Sequence, residues 1–225
     1  MRIAVAIAFC LAFAGCQNLQ NELGHTTVRG ATPEDDDFDH LRAAALLVDR
    51  GEIAPAIPHL KAHLKQHPDA PMIRAYLAEL LMKAGHEGEA KTEYEQFVRD
   101  ASGQDGLAKH HLVHAHTKLM EIAAEADDSF HEYYHRGAAL MHLASPDAEG
   151  GERWNEQTLT KALAATRKAI ELDAGNPRPL LTLMEIQLRL DQPAAARQTR
   201  EKLKGTLSDP TWTAAERERI RGGNS

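Results

Sequence analysis

Sliding the chain against itself by 34 residues brings small and large apolar positions into register. Ala44 meets Ala78, Leu47 meets Leu81, Ala56 meets Ala90 and Leu60 meets Tyr94, while Gly51 falls on Gly85. The same offset near the C-terminus matches Ala162 to Ala196 and Ala169 to Leu203. From Asp37 onward the apolar spacing is that of helices, so the repeating unit is a pair of helices. Small residues such as Ala44 and Ala56 let neighbouring helices approach closely, and Leu47 and Leu60 fill the remaining gap. Gly51 and Gly85 end the first helix of each pair, where a left-handed backbone is needed. Pro68 and Pro177 break the chain between units.

This period and pattern resemble the tetratricopeptide repeat (TPR) over residues 37–104 and 155–208. The resemblance implies an all-α TPR-type helical solenoid of about four to five helix pairs, spanning residues 37–210. Pro55 and Pro58 fit it if the second helix begins near Ala54, which places them in or next to the donor-free first turn. Residues 105–156 are irregular. One helix is expected over 107–125 and another over 129–144, joined at Asp127-Asp128, with a loop or degenerate helix over 145–152. Two readings stay open. Either there are five units, the fourth with a broken first helix, or the stretch His135-Arg136-Gly137-Ala138-Ala139-Leu140 is itself a first helix followed by a loop insertion. Residues 211–225 form a capping helix and tail, since Thr213 and Glu216 make a capping box. A solenoid needs such a polar end.

The first fifteen residues read as an address. Arg2 supplies a positive charge, and residues 3–14 are an apolar run that would span roughly 18 Å as a helix, too short for a bilayer core of about 30 Å. This is the pattern of a secretory signal peptide. Phe13-Ala14-Gly15-Cys16 resembles the lipobox of bacterial lipoproteins, which implies that residues 1–15 are removed and Cys16 is lipidated. Gln17 after the cysteine implies, by the same resemblance, transport to the outer membrane with the chain facing the periplasm. The alternatives are a plain signal peptide cleaved elsewhere or a buried N-terminal helix. Residues 16–36 have few large apolar groups and read as a flexible tether. Its acidic run, Glu34 to Asp37, is expected to be solvated.

Charge and cysteine content exclude several classes of function. A formal net charge of −7 argues against a nucleic-acid partner, whose phosphates call for a basic surface. The two cysteines, Cys10 and Cys16, rule out a disulfide framework and a cysteine-based zinc site. No G-x-S-x-G elbow, phosphate-cradling glycine loop or H-E-x-x-H motif occurs, so no catalytic residue and no cofactor are assigned. Trp154 and Trp212 are expected to pack at a repeat junction and at the C-terminal cap, with Met120, Met141 and Met184 as core candidates.

Thirteen histidines are the compositional oddity. His59, His63 and His67 recur at a spacing of four, as do His110 with His114 and His131 with His135, and residues so spaced share a helix face that could hold a metal ion. Glu121 and Glu132 are the nearest further ligands. The competing reading is of surface or hydrogen-bonded histidines. In TPR proteins the first helices line a concave groove that takes peptides. Carried over by resemblance, the groove positions are Arg42 and Asp49 in the first unit, then Tyr76, Glu79 and Lys83. Lys109, His110 and His116 follow, and the last unit supplies Arg178, Glu185 and Arg189. The expectation is a non-enzymatic, lipid-anchored adaptor that holds an envelope protein or peptide in this groove. The alternative is a metal-binding envelope protein using His110, His114, His131 and His135.

Overall fold

The computed structural model describes residues 35–101, 109–144 and 155–222, with the side chains of 35–39 left aside. Among the described residues are ten helices and no strand. They are α1 (Asp35–Asp49), α2 (Ile53–Gln66), α3 (Pro71–Lys83), α4 (Glu87–Ala101), α5 (Lys109–Glu125), α6 (Ser129–Leu143), α7 (Glu156–Leu172), α8 (Arg178–Arg189), α9 (Pro193–Lys204) and α10 (Ala214–Arg221). The chain is an all-α, TPR-type array of adjacent helix pairs. It divides into two units, Met1–Pro68 with α1 and α2, and Asp69–Ser225 with the rest.

Four of the hairpins turn on one residue in the left-handed region: Gly51, Gly85, Asp127 and Asp191, with φ of 78°, 80°, 54° and 53°. In each, two amides reach back over the helix end, as when His86 N–H donates to the Leu81 carbonyl and Asp128 N–H to that of Ala123. Glycine meets this backbone demand without strain, and a short aspartate is the next most tolerant choice. The turns fix a shared register across three hairpins. Residues 11 before and 8 after the turn touch side chain to side chain: His40 with His59 at 3.0 Å, Arg74 with Glu93 at 2.8 Å, and His116 with His135 at 3.0 Å. The α5–α6 pair is therefore built as the first two pairs are.

In the irregular middle, the broken first helix of the five-unit reading falls outside the described residues, and what the structure describes is a helix used twice. Helix α6 is the second helix of the α5–α6 hairpin, yet it also serves as a first helix to α7. At the α6–α7 crossing, a Cβ added to Gly137 would lie 2.4 Å from Thr166 Oγ1 and 3.2 Å from the Thr166 amide nitrogen. Only glycine allows that approach. Met141 of α6, Ala162 of α7 and Ile186 of α8 then share one core cluster. The expected loop at 145–152, Trp154, and the start of the helix expected from 107 lie outside the described residues.

Apart from the turn residues Gly51 and Gly85, which are exposed, the residues matched by the 34-residue offset lie in the packed interior. Ala44, Ala56, Leu60, Ala78, Leu81, Ala90, Tyr94, Ala162, Ala169, Ala196 and Leu203 are buried, and Leu47 is half-buried. Met141 and Met184 are core residues, whereas Met120 is half-buried. Pro55 is the third residue of α2, within the donor-free turn, but Pro58 lies inside the helix. Its ring leaves the Ala54 carbonyl without the usual helical donor.

At Ala90, replacement by Leu should overpack the α3–α4 contact and cost about 1–2 kcal/mol. The same change at Thr92, exposed on α4, should stay within about 0.5 kcal/mol. Glu93, which repeat phase alone places away from the contact, is unsuitable as a control. Its side chain is only 22% exposed and pairs with Arg74, which also reaches Asp100 at 3.1 Å. Equal urea midpoints for the Ala90 and Thr92 variants would refute the register.

Candidate protein-binding groove

The second unit carries a groove of about 1520 Å³ lined by residues of α4, α5, α6, α8, α9 and α10. Five of the expected groove residues line it: Lys109, His116, Arg178, Glu185 and Arg189. The others are not among its lining residues. Arg42 and Asp49 are exposed on α1 of the first unit, and Tyr76 is half-buried on α3. His110 is exposed on α5 and packs on His111, with ring centres 3.9 Å apart.

Glu79 is committed within the fold. It accepts from Tyr94 Oη at 2.9 Å and pairs with His114 Nε2 at 3.0 Å, with Lys83 Nζ 3.7 Å away. The hydrogen bond from His114, aided by that from Tyr94, holds its carboxyl down at about 2 despite burial. Burial, together with that carboxylate, pushes the Tyr94 hydroxyl far above its ordinary range.

Histidines form the groove floor. His116 of α5 and His135 of α6, 3% and 5% exposed, meet through their Nδ1 atoms. One Nδ1–H donates and the other Nδ1 accepts, so at least one ring is neutral. His142 stacks on His116 at 5.8 Å and 15°, and Tyr134 meets His116 edge-on. Burial lowers His116 to about 4. Burial also depresses His135, helped by His116, His131 and Lys91. Depression of His142 follows from burial, then from His116, Arg189, Arg219 and Lys109. At neutral pH the floor is uncharged imidazole.

The far wall is built from α8 and the cap. Thr213 and Glu216 close the capping box of α10, with Thr213 N–H donating to Glu216 Oε2 at 2.8 Å and Glu216 N–H to Thr213 Oγ1 at 3.2 Å. Glu216 also binds Arg178 at 2.5 Å, and the Arg178 guanidinium lies 4.3 Å over the Trp212 ring. Arg189 donates to the Met141 carbonyl at 2.7 Å, and Arg219 pairs with Glu185.

The four histidines of the metal alternative are not brought together. His110 packs on His111, His114 binds Glu79, His131 binds Asp128 at 2.6 Å, and His135 binds His116. Helical spacing placed them in pairs on their own helices, but each found a different neighbour. Among the described residues no group of three His, Cys, Asp or Glu is placed to hold a metal ion.

Sequence reasoning missed Arg99, Tyr134, His142, Arg200 and Arg219, all on the cavity wall. It took groove positions from first helices, whereas these come from second helices, from the doubly used α6 and from the cap. The only signal available was the break in repeat phase after Gly85.

No family model and no curated protein matches the sequence. Among solved structures, the chain is similar to the crystal structure of MamA protein over 85% of its own length and 98% of that chain, at 14% identity and a TM-score of 0.42. A MamA fragment from residue 41 to the end, from Desulfovibrio magneticus RS-1, aligns over 78% of this chain and 98% of its own at 16% identity, with a TM-score of 0.34. YrrB, described as a TPR protein with an unusual peptide-binding site, aligns over 92% of this chain and 97% of its own at 15% identity, with a TM-score of 0.36.

Proposed function

We propose that the chain is a non-enzymatic adaptor of the bacterial cell envelope, lipidated at Cys16, that holds a protein or peptide segment in the groove of its second unit. The groove carries this reading. A helical repeat fold is suited to protein–protein interaction, and about 1520 Å³ exceeds the roughly 300–1,000 Å³ of a small-molecule pocket. An extended or helical segment fills such a space.

The anchor rests on the lipobox-like Phe13-Ala14-Gly15-Cys16, which lies outside the described residues. Among the described residues no helix is long and apolar enough to cross a membrane. On this reading, attachment depends on acyl chains at Cys16, and stable anchoring takes more than one chain. Cys16→Ser should abolish labelling by radioactive palmitate and move the protein from the membrane fraction to the soluble one. A wild type that takes no label would sink the anchor. For the groove, a photo-crosslinking residue at Leu188, on the cavity wall, should trap a partner in cells, while one at Lys161, exposed on α7, should not. Equal trapping at both positions would refute the groove as the binding surface.

A further inference from the structure

Resting on that groove reading, the hydrogen-bonding pattern of the groove floor names a group on the partner. Net charge does not. Lysines and arginines on the lining equal the carboxylates in number, six of each. Two of the arginines are bound to glutamates of the same lining, Arg178 to Glu216 and Arg219 to Glu185. A groove so balanced favours a partner of neither sign.

The floor has spare hydrogen-bonding capacity on uncharged rings. His116 and His135 are 3% and 5% exposed, both line the cavity, and their Nδ1 atoms lie 3.0 Å apart. That contact couples the two tautomers. With both rings neutral, the one that donates from Nδ1–H keeps a bare Nε2, and the one that accepts at Nδ1 carries its proton on Nε2. One Nε2 is therefore an acceptor and the other a donor. Among the described residues neither Nε2 has a hydrogen-bond partner, and neither is one of the unpartnered atoms that the fold seals from open space. Tyr134 lines the same floor, its ring centre 4.8 Å from that of His135, and its Oη is likewise unpartnered among the described residues. Polar groups this deep are normally satisfied, so these atoms await a ligand.

We propose that the floor takes the carboxamide of a glutamine or asparagine side chain from the partner segment. A carboxamide carries an acceptor and a donor on one uncharged end, the complement of what the paired imidazoles present. A carboxylate brings acceptors only and an ammonium donors only, so each leaves one Nε2 unpaired and gives up its hydration besides. Burial favours a side-chain amide over a main-chain one. Atoms on rings so little exposed are met by a slim end reaching down, not by backbone flanked with its own side chains.

The test uses the full chain and a short fluorescent alanine-based peptide carrying glutamines, with norleucine, glutamate, lysine and glycine versions of the same length. The glutamine peptide should bind at least about tenfold more tightly than each of the others, because they leave buried polar atoms of the site unpaired. Tyr134→Phe, which removes one hydroxyl, should weaken the glutamine peptide several-fold, and His135→Phe should erase its advantage over norleucine. Ring-nitrogen NMR of the histidines needs no variant. In the wild-type complex His116 and His135 should be opposite neutral tautomers, with Nε2 signals that the glutamine peptide moves and the norleucine peptide does not. Matching tautomers, or Nε2 signals that stay in place, overturn the proposal. Equally tight binding of the norleucine, glutamate or lysine version refutes the carboxamide while the groove reading stands. A glycine version as tight as the glutamine one overturns the side-chain source in favour of main-chain amides. Binding of none of the peptides refutes the carboxamide as well, and the groove is then judged by the crosslinking at Leu188. A glutamine preference that survives His135→Phe overturns the assignment to this floor.

Discussion

Trp212→Ala should cost the second unit about 3–5 kcal/mol, the range for truncating a large buried aromatic. The indole is 2% exposed and sits in a cluster with Leu181, Met184, Ala196, Leu203 and Ile220. These residues come from α8, α9 and α10, so one side chain joins three helices. Its Nε1–H donates to the Thr206 carbonyl at 3.0 Å, which closes the turn after α9. Its face carries the Arg178 guanidinium, which in turn holds Glu216 of the capping box. Removing the ring leaves a void, takes away one of the two donors to the Thr206 carbonyl, the other being Asp209 N–H, and withdraws the platform under that ion pair. Trp212→Phe keeps most of the volume and should cost clearly less. Urea unfolding followed by far-UV circular dichroism gives the loss, since Trp154 would confuse a fluorescence readout. Because neighbours support one another in repeat arrays, amide exchange should quicken in α10 first and then in α8 and α9. A loss under about 1 kcal/mol would mean that the cap does not depend on this residue.

How much of this was legible in the sequence follows from what the repeat constrains. The alanines at 44, 56, 78 and 90 lie where helix backbones come close, so their size betrays the packing at a fixed offset. Gly51 and Gly85 are visible for the same reason, since few residues accept their backbone angles. Asp127 and Asp191 occupy the same conformation but do not stand out, because aspartate is common in ordinary turns. The contact between residues 11 before and 8 after a turn uses His–His, Arg–Glu and His–His in successive hairpins. Position is shared there while chemistry is not, so a search for matching residues passes over it. The double use of α6 is harder still. Gly137 reads as a flaw in an isolated helix and gains its meaning only from Thr166, across an insertion of unpredictable length. Lys109, His116, Arg178, Glu185 and Arg189 were reached because first helices face the groove, while His142 and Arg219 depend on how α6 and the cap fold back onto it.

Acid should weaken the fold through the same buried histidines. An unfolded imidazole titrates near 6.5, whereas burial holds folded His116 at about 4. Between those values the unfolded chain binds more protons than the folded one. Stability from this residue is thus complete above about 6.5 and falls as pH drops toward 4, losing about 2 kcal/mol by pH 5. His135 and His142 are depressed in the same direction, so they add to the loss. The three do not add independently, because His116 touches both of the others and a proton on one ring opposes a proton on the next. The Nδ1–Nδ1 hydrogen bond between α5 and α6 is lost once both rings are protonated, since two imidazolium groups have no acceptor between them. Urea midpoints measured from pH 7.5 to 5 should therefore fall, and the pH slope should shrink in His116→Gln, which keeps polar groups at the contact but cannot take up a proton. A slope identical in wild type and variant would place the acid sensitivity elsewhere and would mean that His116 is not held neutral by the fold.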